Sequence, residues 1–144
     1  MTATHRVDAA RRPTTPTGRH LRAVALNDRA GDLPGGPAPE VFAHAFTAAV
    51  RLRFRPETPL IAVAGSVAAA ARRHAALALP VREAEMLIRE ALGEKVPTAG
   101  ISATQAMVVH MVIFAALVDE LALTDDEIDE LIADAEAGDP SATR

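Results

Sequence analysis

Few side chains in this sequence combine a reactive type with a useful spacing, and His110 comes first among them. It interrupts an apolar run from Ala106 to Val118. A neutral imidazole tolerates burial when one ring nitrogen donates and the other accepts, and burial lowers its pKa, making it a proton acceptor near neutrality. Ala106 and Phe114 stand one helical turn to either side, so no Ser, Cys or carboxylate accompanies it along the helix. The expected role is a satisfied core histidine. The alternatives are a histidine at a subunit interface, and a ligand-binding or catalytic group in a pocket between the second and fourth predicted helices.

Metal chemistry would need clustered ligands. Glu40 and His44 share one helical face at i and i+4, and Glu83, Glu85 and Glu90 lie further on. Di-metal sites in helical bundles use a Glu-x-x-His spacing repeated on facing helices, and here a single Glu-x-x-x-His has no second copy. The acidic stretch 125–136, DDEIDELIADAE, lacks the central glycine of a calcium-binding loop and puts apolar residues at ligand positions. No metal and no cofactor is expected. Ser66 sits in AGSVA, without the second glycine of a nucleophile elbow and inside a predicted helix. Gly35-Gly36 has no Lys-Ser/Thr after it and so makes no phosphate loop. No catalytic residue is assigned.

The composition narrows the scaffold that would hold these groups. Of 144 residues 49% are apolar, many of them alanine, whereas aromatics are 3%: Phe42, Phe46, Phe54 and Phe114. Strands draw on aromatic and β-branched side chains, so the balance favours helix. The absence of cysteine excludes disulfides, thiolate metal sites and a cysteine nucleophile, and it is compatible with a cytoplasmic setting. Fourteen arginines to one lysine, with the alanine excess, suggest a GC-rich bacterial origin. Residues 60–79 have the length of a membrane span, but Arg72, Arg73 and His74 interrupt it. Arg11-Arg12 precede no apolar run of signal-peptide length. No membrane association is expected.

The net charge of −4 conceals a polarity along the chain. Residues 1–36 hold six Arg against three Asp, and residues 119–139 hold ten acidic residues and no basic one. Prolines at 13, 16, 34, 37 and 39 and glycines at 31, 35 and 36 break regular structure, so residues 1–38 are read as a flexible arm. Within it Leu21, Val24 and Leu26 form an apolar patch, a candidate docking peptide for a partner. Arg11, Arg12, Arg19 and Arg22 are candidate contacts to phosphate or to an acidic partner.

Five helices are predicted from apolar spacing and cap signals. The first begins near Pro39, with Phe42, Ala45, Phe46, Ala49 and Val50 as its stripe and Arg51, Arg53 and Arg55 near its C-terminal end. The second runs over 59–79, capped by Thr58 and stopped by Pro80. It is rich in small residues (Ala62, Gly65, Ser66, Ala69, Ala70) that suit close packing, so Gly65 is expected to face a neighbouring backbone. The third, 81–92, pairs Glu85 with Arg89 at i and i+4 and ends at Gly93. The fourth opens on the capping box Ser102–Gln105 and is apolar all round from Ala106 to Val118, so it is expected to be buried all round. The fifth opens on a second capping box, Thr124 and Glu127, carries Ile128, Leu131, Ile132 and Ala135 inward, and ends at Gly138 and Pro140.

The sequence thus predicts an all-α protein: a compact bundle of four to five helices over 39–137, a disordered or extended N-terminal arm over 1–38, and a disordered tail over 138–144. The expected function is non-enzymatic, a helical protein-interaction module (adaptor, regulator or assembly factor) with a protein partner, self-associating as a homo-oligomer. Two alternatives stand beside it. One is a nucleic-acid-binding regulator using the arginine-bearing arm, against which Glu83, Glu85, Glu90 and Glu94 would repel phosphate from the helix after Pro80. The other is a small-ligand binder or enzyme with a pocket at His110.

Overall fold

The computed structural model describes residues 39–137. Five α helices follow one another in this region: α1, Pro39–Arg53; α2, Leu60–Arg73; α3, Val81–Ala91; α4, Ala103–Glu120; and α5, Asp125–Ala137. A 3-10 turn, Ala75–Leu77, follows α2, and no strand occurs among the described residues. The arm residues Arg11, Arg12, Arg19, Arg22, Leu21, Val24 and Leu26, and the segment 138–144, lie outside the described residues.

Local chemistry accounts for most boundaries. Ser102 and Gln105 close a full capping box: the Gln105 amide donates to Ser102 Oγ, 3.1 Å, and the Ser102 amide to Gln105 Oε1, 3.1 Å. Thr124 and Glu127 repeat the motif at α5, with amide-to-side-chain distances of 3.2 and 2.8 Å. Gly93 adopts φ +95° after α3, where its amide reaches Glu90 O and the Glu94 amide reaches Arg89 O. An α-helical C-terminus closed this way requires a left-handed residue, which glycine supplies without a Cβ clash.

Three local expectations are corrected. Helix α2 ends at Arg73 rather than near 79. His74 leaves the helical region at φ −114°, ψ 44°, and Ala78 turns left-handed at φ 51°. Pro80 disfavours the helical region for Leu79 alone, whereas the helix has already ended at Arg73 and a 3-10 turn closed by left-handed Ala78 fills the interval. Thr58 does not cap α2. Its Oγ1 accepts the Arg55 amide at 2.8 Å and closes the turn before the helix, leaving Pro59 at the cap position. Arg89 hydrogen-bonds to Glu94, through Nε at 3.1 Å and Nη2 at 2.5 Å, in place of the expected Glu85.

The core forms around α1 and α4, which pack extensively on each other, with α5 laid along α1 and α3 bridging α1, α4 and α2. Phe42, Phe46, Val50 and Phe54 from the first helix region meet Val112, Ile113, Phe114 and Leu117 of α4 and Ile128 and Ile132 of α5 in one cluster. From Val112 to Val118 every residue is buried, which for a helix means burial on all sides. The N-terminal half differs from the expectation: Met107, Val108, His110 and Met111 are half-buried and only Val109 is fully enclosed. By length and a mean hydropathy of 1.4, α4 is the one described helix apolar enough to cross a membrane, and the same composition is what the central helix of a bundle needs.

Candidate functional site

Two features of the bundle stand out chemically: a groove at His110 and the outward face of α2. The groove, about 340 Å³, lies where α1, α3 and α4 converge. Phe46, Thr47 and Arg51 line it from α1, Leu87 and Glu90 from α3, and His110 from α4. The expected pocket between the second and fourth helices is therefore replaced by one walled by the first and third. The reason is periodicity: the half-buried side of α4 at His110 faces α1, whose Phe46 ring lies 4.7 Å from the imidazole, centroid to centroid, at a 41° tilt.

Burial pushes the His110 pKa down to about 4, and the nearby Glu90 carboxylate offsets only part of that. At neutral pH the imidazole is uncharged and offers one donor and one acceptor. A general base works best with a pKa near the operating pH, so a value about three units below neutrality suits hydrogen bonding better than proton abstraction. The polar neighbours have other engagements: Arg51 Nε donates to Ala91 O at 3.1 Å, and Glu90 accepts from Thr98 Oγ1 at 2.8 Å. Arg51 also lines two flanking grooves, one of about 260 Å³ beside Asp134 of α5 and one of about 390 Å³ beside Phe54 and Leu92. The groove thus brings the uncharged imidazole, the Arg51 guanidinium and the Glu90 carboxylate together over the buried Phe46 ring.

The other sequence candidates do not join it. Glu40 and His44 are exposed at the start of α1, and no group of three potential metal ligands comes together among the described residues. Ser66 is buried and donates through Oγ to Glu120 Oε1 at 3.1 Å, while Arg53 Nε donates to the same oxygen at 2.9 Å and stacks over Phe54 at 4.8 Å. This triad ties α2, α4 and α1 together. Beside it Arg73 pairs with Asp119. Acidic residues at a helix C-terminus oppose the helix dipole, and α4 ends on two of them; Arg53 and Arg73 supply the compensation. Spacing along one helix carries no signal of such a triad, because its members are 54 and 67 residues apart.

The second feature is the outer face of α2. The helix buries Val63, Ser66, Val67 and Ala70, and from Leu60 to Ala71 it contains no charged residue. Its outward side carries Leu60, 58% exposed, and Ile61, 82% exposed. Gly65 lies on this side, and a Cβ built there would meet nothing within 4 Å. The expected packing reason for Gly65 is thus absent among the described residues: the glycine faces open space, not another helix of the bundle. No family model, no curated protein and no solved structure matches this chain.

Proposed function

We propose that the protein is a non-enzymatic helical interaction module that self-associates through α2 and presents the rest of its surface to a protein partner. The carrying observation is the uncharged outer face of α2, with Ile61 82% exposed and a glycine beside it. Surface helices normally cover their outer side with charge, and α3 and α5 do so. A helix that does not, and that also accepts the roughly 1 kcal/mol cost of an interior glycine relative to alanine, suits a close crossing with another backbone. A second copy is the economical occupant, because a two-fold pairing sets the Gly65 notch against its own image with Leu60 and Ile61 flanking it.

Sedimentation equilibrium of the full chain tests this reading. The wild type is expected to be a reversible oligomer. Ile61→Glu, which adds a charge on an exposed side chain, is expected to leave the helical content unchanged and give a monomer. A wild type that stays monomeric across the accessible concentration range would sink the reading.

The groove at His110 favours a second reading, a small-ligand binder, on the strength of its mixed lining of Phe46, Arg51, Glu90 and a neutral imidazole. Its test is ligand-dependent thermal stabilisation that His110→Phe abolishes. The nucleic-acid reading rests on Arg11, Arg12, Arg19 and Arg22, and it gains no support from α3, whose outer residues include Glu83, Glu85 and Glu90.

A further inference from the structure

The groove at His110 holds two opposite charges that do not pair with each other. Arg51 and Glu90 both line it, yet the ion pairs among the described residues, Arg53–Glu120, Arg73–Asp119 and Arg89–Glu94, leave both out. Each is held by its own anchor: Arg51 Nε donates to Ala91 O at 3.1 Å, and Glu90 Oε2 accepts from Thr98 Oγ1 at 2.8 Å. These two side chains make no other hydrogen bond among the described residues, so the Arg51 terminal nitrogens and Glu90 Oε1 are open to a ligand. The His110 ring nitrogens and the Thr47 hydroxyl also lack a hydrogen-bond partner among those residues. Every buried side-chain polar atom there has one, so both ring nitrogens reach open space. Burial keeps the imidazole uncharged, and the groove therefore presents one positive and one negative charge at neutral pH.

We propose that this groove binds a free α-amino acid as its zwitterion, the Arg51 guanidinium taking the carboxylate and Glu90 Oε1 the ammonium. The proposal rests on the small-ligand reading of the groove and adds the class of ligand. A guanidinium presents a planar fork of donors that matches a carboxylate, and an ammonium donates to a carboxylate oxygen. A ligand with a single charge would meet one of the two groups and be repelled by the other, whereas a ligand bearing both charges meets both. The His110 imidazole and the Thr47 hydroxyl each add a donor for the carboxylate. Ala43 and Leu87 supply an apolar wall for the ligand side chain. The groove, about 340 Å³ in volume, lies at the low end of the roughly 300–1,000 Å³ usual for small-molecule sites, which suits a single amino acid.

Amide NMR titrations of the full wild-type chain test this. The probes are leucine, isocaproate and isoamylamine; the last two keep the leucine skeleton but lack the ammonium or the carboxylate. Leucine is expected to shift the resonances of Thr47, Arg51, Ala91 and His110. Its dissociation constant should be lower than that of either analogue by about tenfold or more, the size expected for one charge-assisted pair. Arg51→Gln should reduce the leucine affinity to that of isoamylamine, and Glu90→Gln to that of isocaproate, with far-UV circular dichroism reporting that the helices persist. The wild-type comparison decides even if a variant unfolds. An analogue that binds the same residues as tightly as leucine overturns the zwitterion and leaves the small-ligand reading standing. Leucine shifts confined to residues outside the groove overturn the proposal, as does the absence of any shift with leucine, alanine and phenylalanine. The small-ligand reading falls separately, when no ligand gives the thermal stabilisation that His110→Phe abolishes.

Discussion

The His110 imidazole rests 4.7 Å from the Phe46 ring, tilted by 41°, and this contact joins the half-buried end of α4 to α1. Burial holds the ring uncharged, with Glu90 pulling weakly the other way and Arg51 lining the same groove. The pairing makes His110 a packing element of the contact between α1 and α4.

That burial has a pH signature. With the folded pKa lowered to about 4 from 6.5, the unfolded chain binds more protons between those values. The stabilisation is fully present above pH 6.5 and is lost as pH falls through 4. Denaturant titrations should show a loss of about 1–2 kcal/mol on going from pH 7 to pH 5. His110→Phe should remove most of it. A smaller dependence remains from His74, whose pKa is lowered by burial and by Arg73 against the pull of Asp119.

The two helix-associated glycines should respond in opposite directions to alanine. Gly93→Ala forces a Cβ into φ +95° and should cost about 1 kcal/mol. Gly65→Ala meets open space in a helix interior and should raise the stability of the isolated bundle by about 0.5–1 kcal/mol. Chemical denaturation at low protein concentration, where association does not contribute, measures both.

Much of the architecture is legible locally. Ser102, Gln105, Thr124 and Glu127 mark two helix starts through cap chemistry that needs only four consecutive residues. Gly93 marks a stop for a reason equally local. What stays hidden depends on distant partners. The uniform apolarity of 106–118 does not reveal that neighbours enclose every position only from 112 to 118, and before that Val109 alone. The groove could not be placed because Arg51 and Ala91, which meet across it, are 40 residues apart. Ser66 resembles a stray hydroxyl until Glu120 and Arg53 are folded against it.

The uneven enclosure of α4 should be measurable. Phe114→Ala opens a cavity in the fully buried half and should cost about 3–5 kcal/mol. Met107→Ala, in the half-buried part, should cost about 1 kcal/mol. Equal losses in equilibrium unfolding would contradict the placement of the core around 112–118.

The proposed self-association of α2 has the most direct test. The chain has no cysteine, so Gly65→Cys introduces a single thiol at the proposed seam. A disulfide forms only when the two Cα atoms approach within about 4.4–6.8 Å, which a close two-fold crossing at residue 65 permits. Mild oxidation of the native Gly65→Cys protein should give a covalent dimer, while Arg82→Cys, on the exposed side of α3, should stay monomeric. If Gly65→Cys cross-links no faster than Arg82→Cys, α2 does not pair with its own copy and the proposed function is wrong.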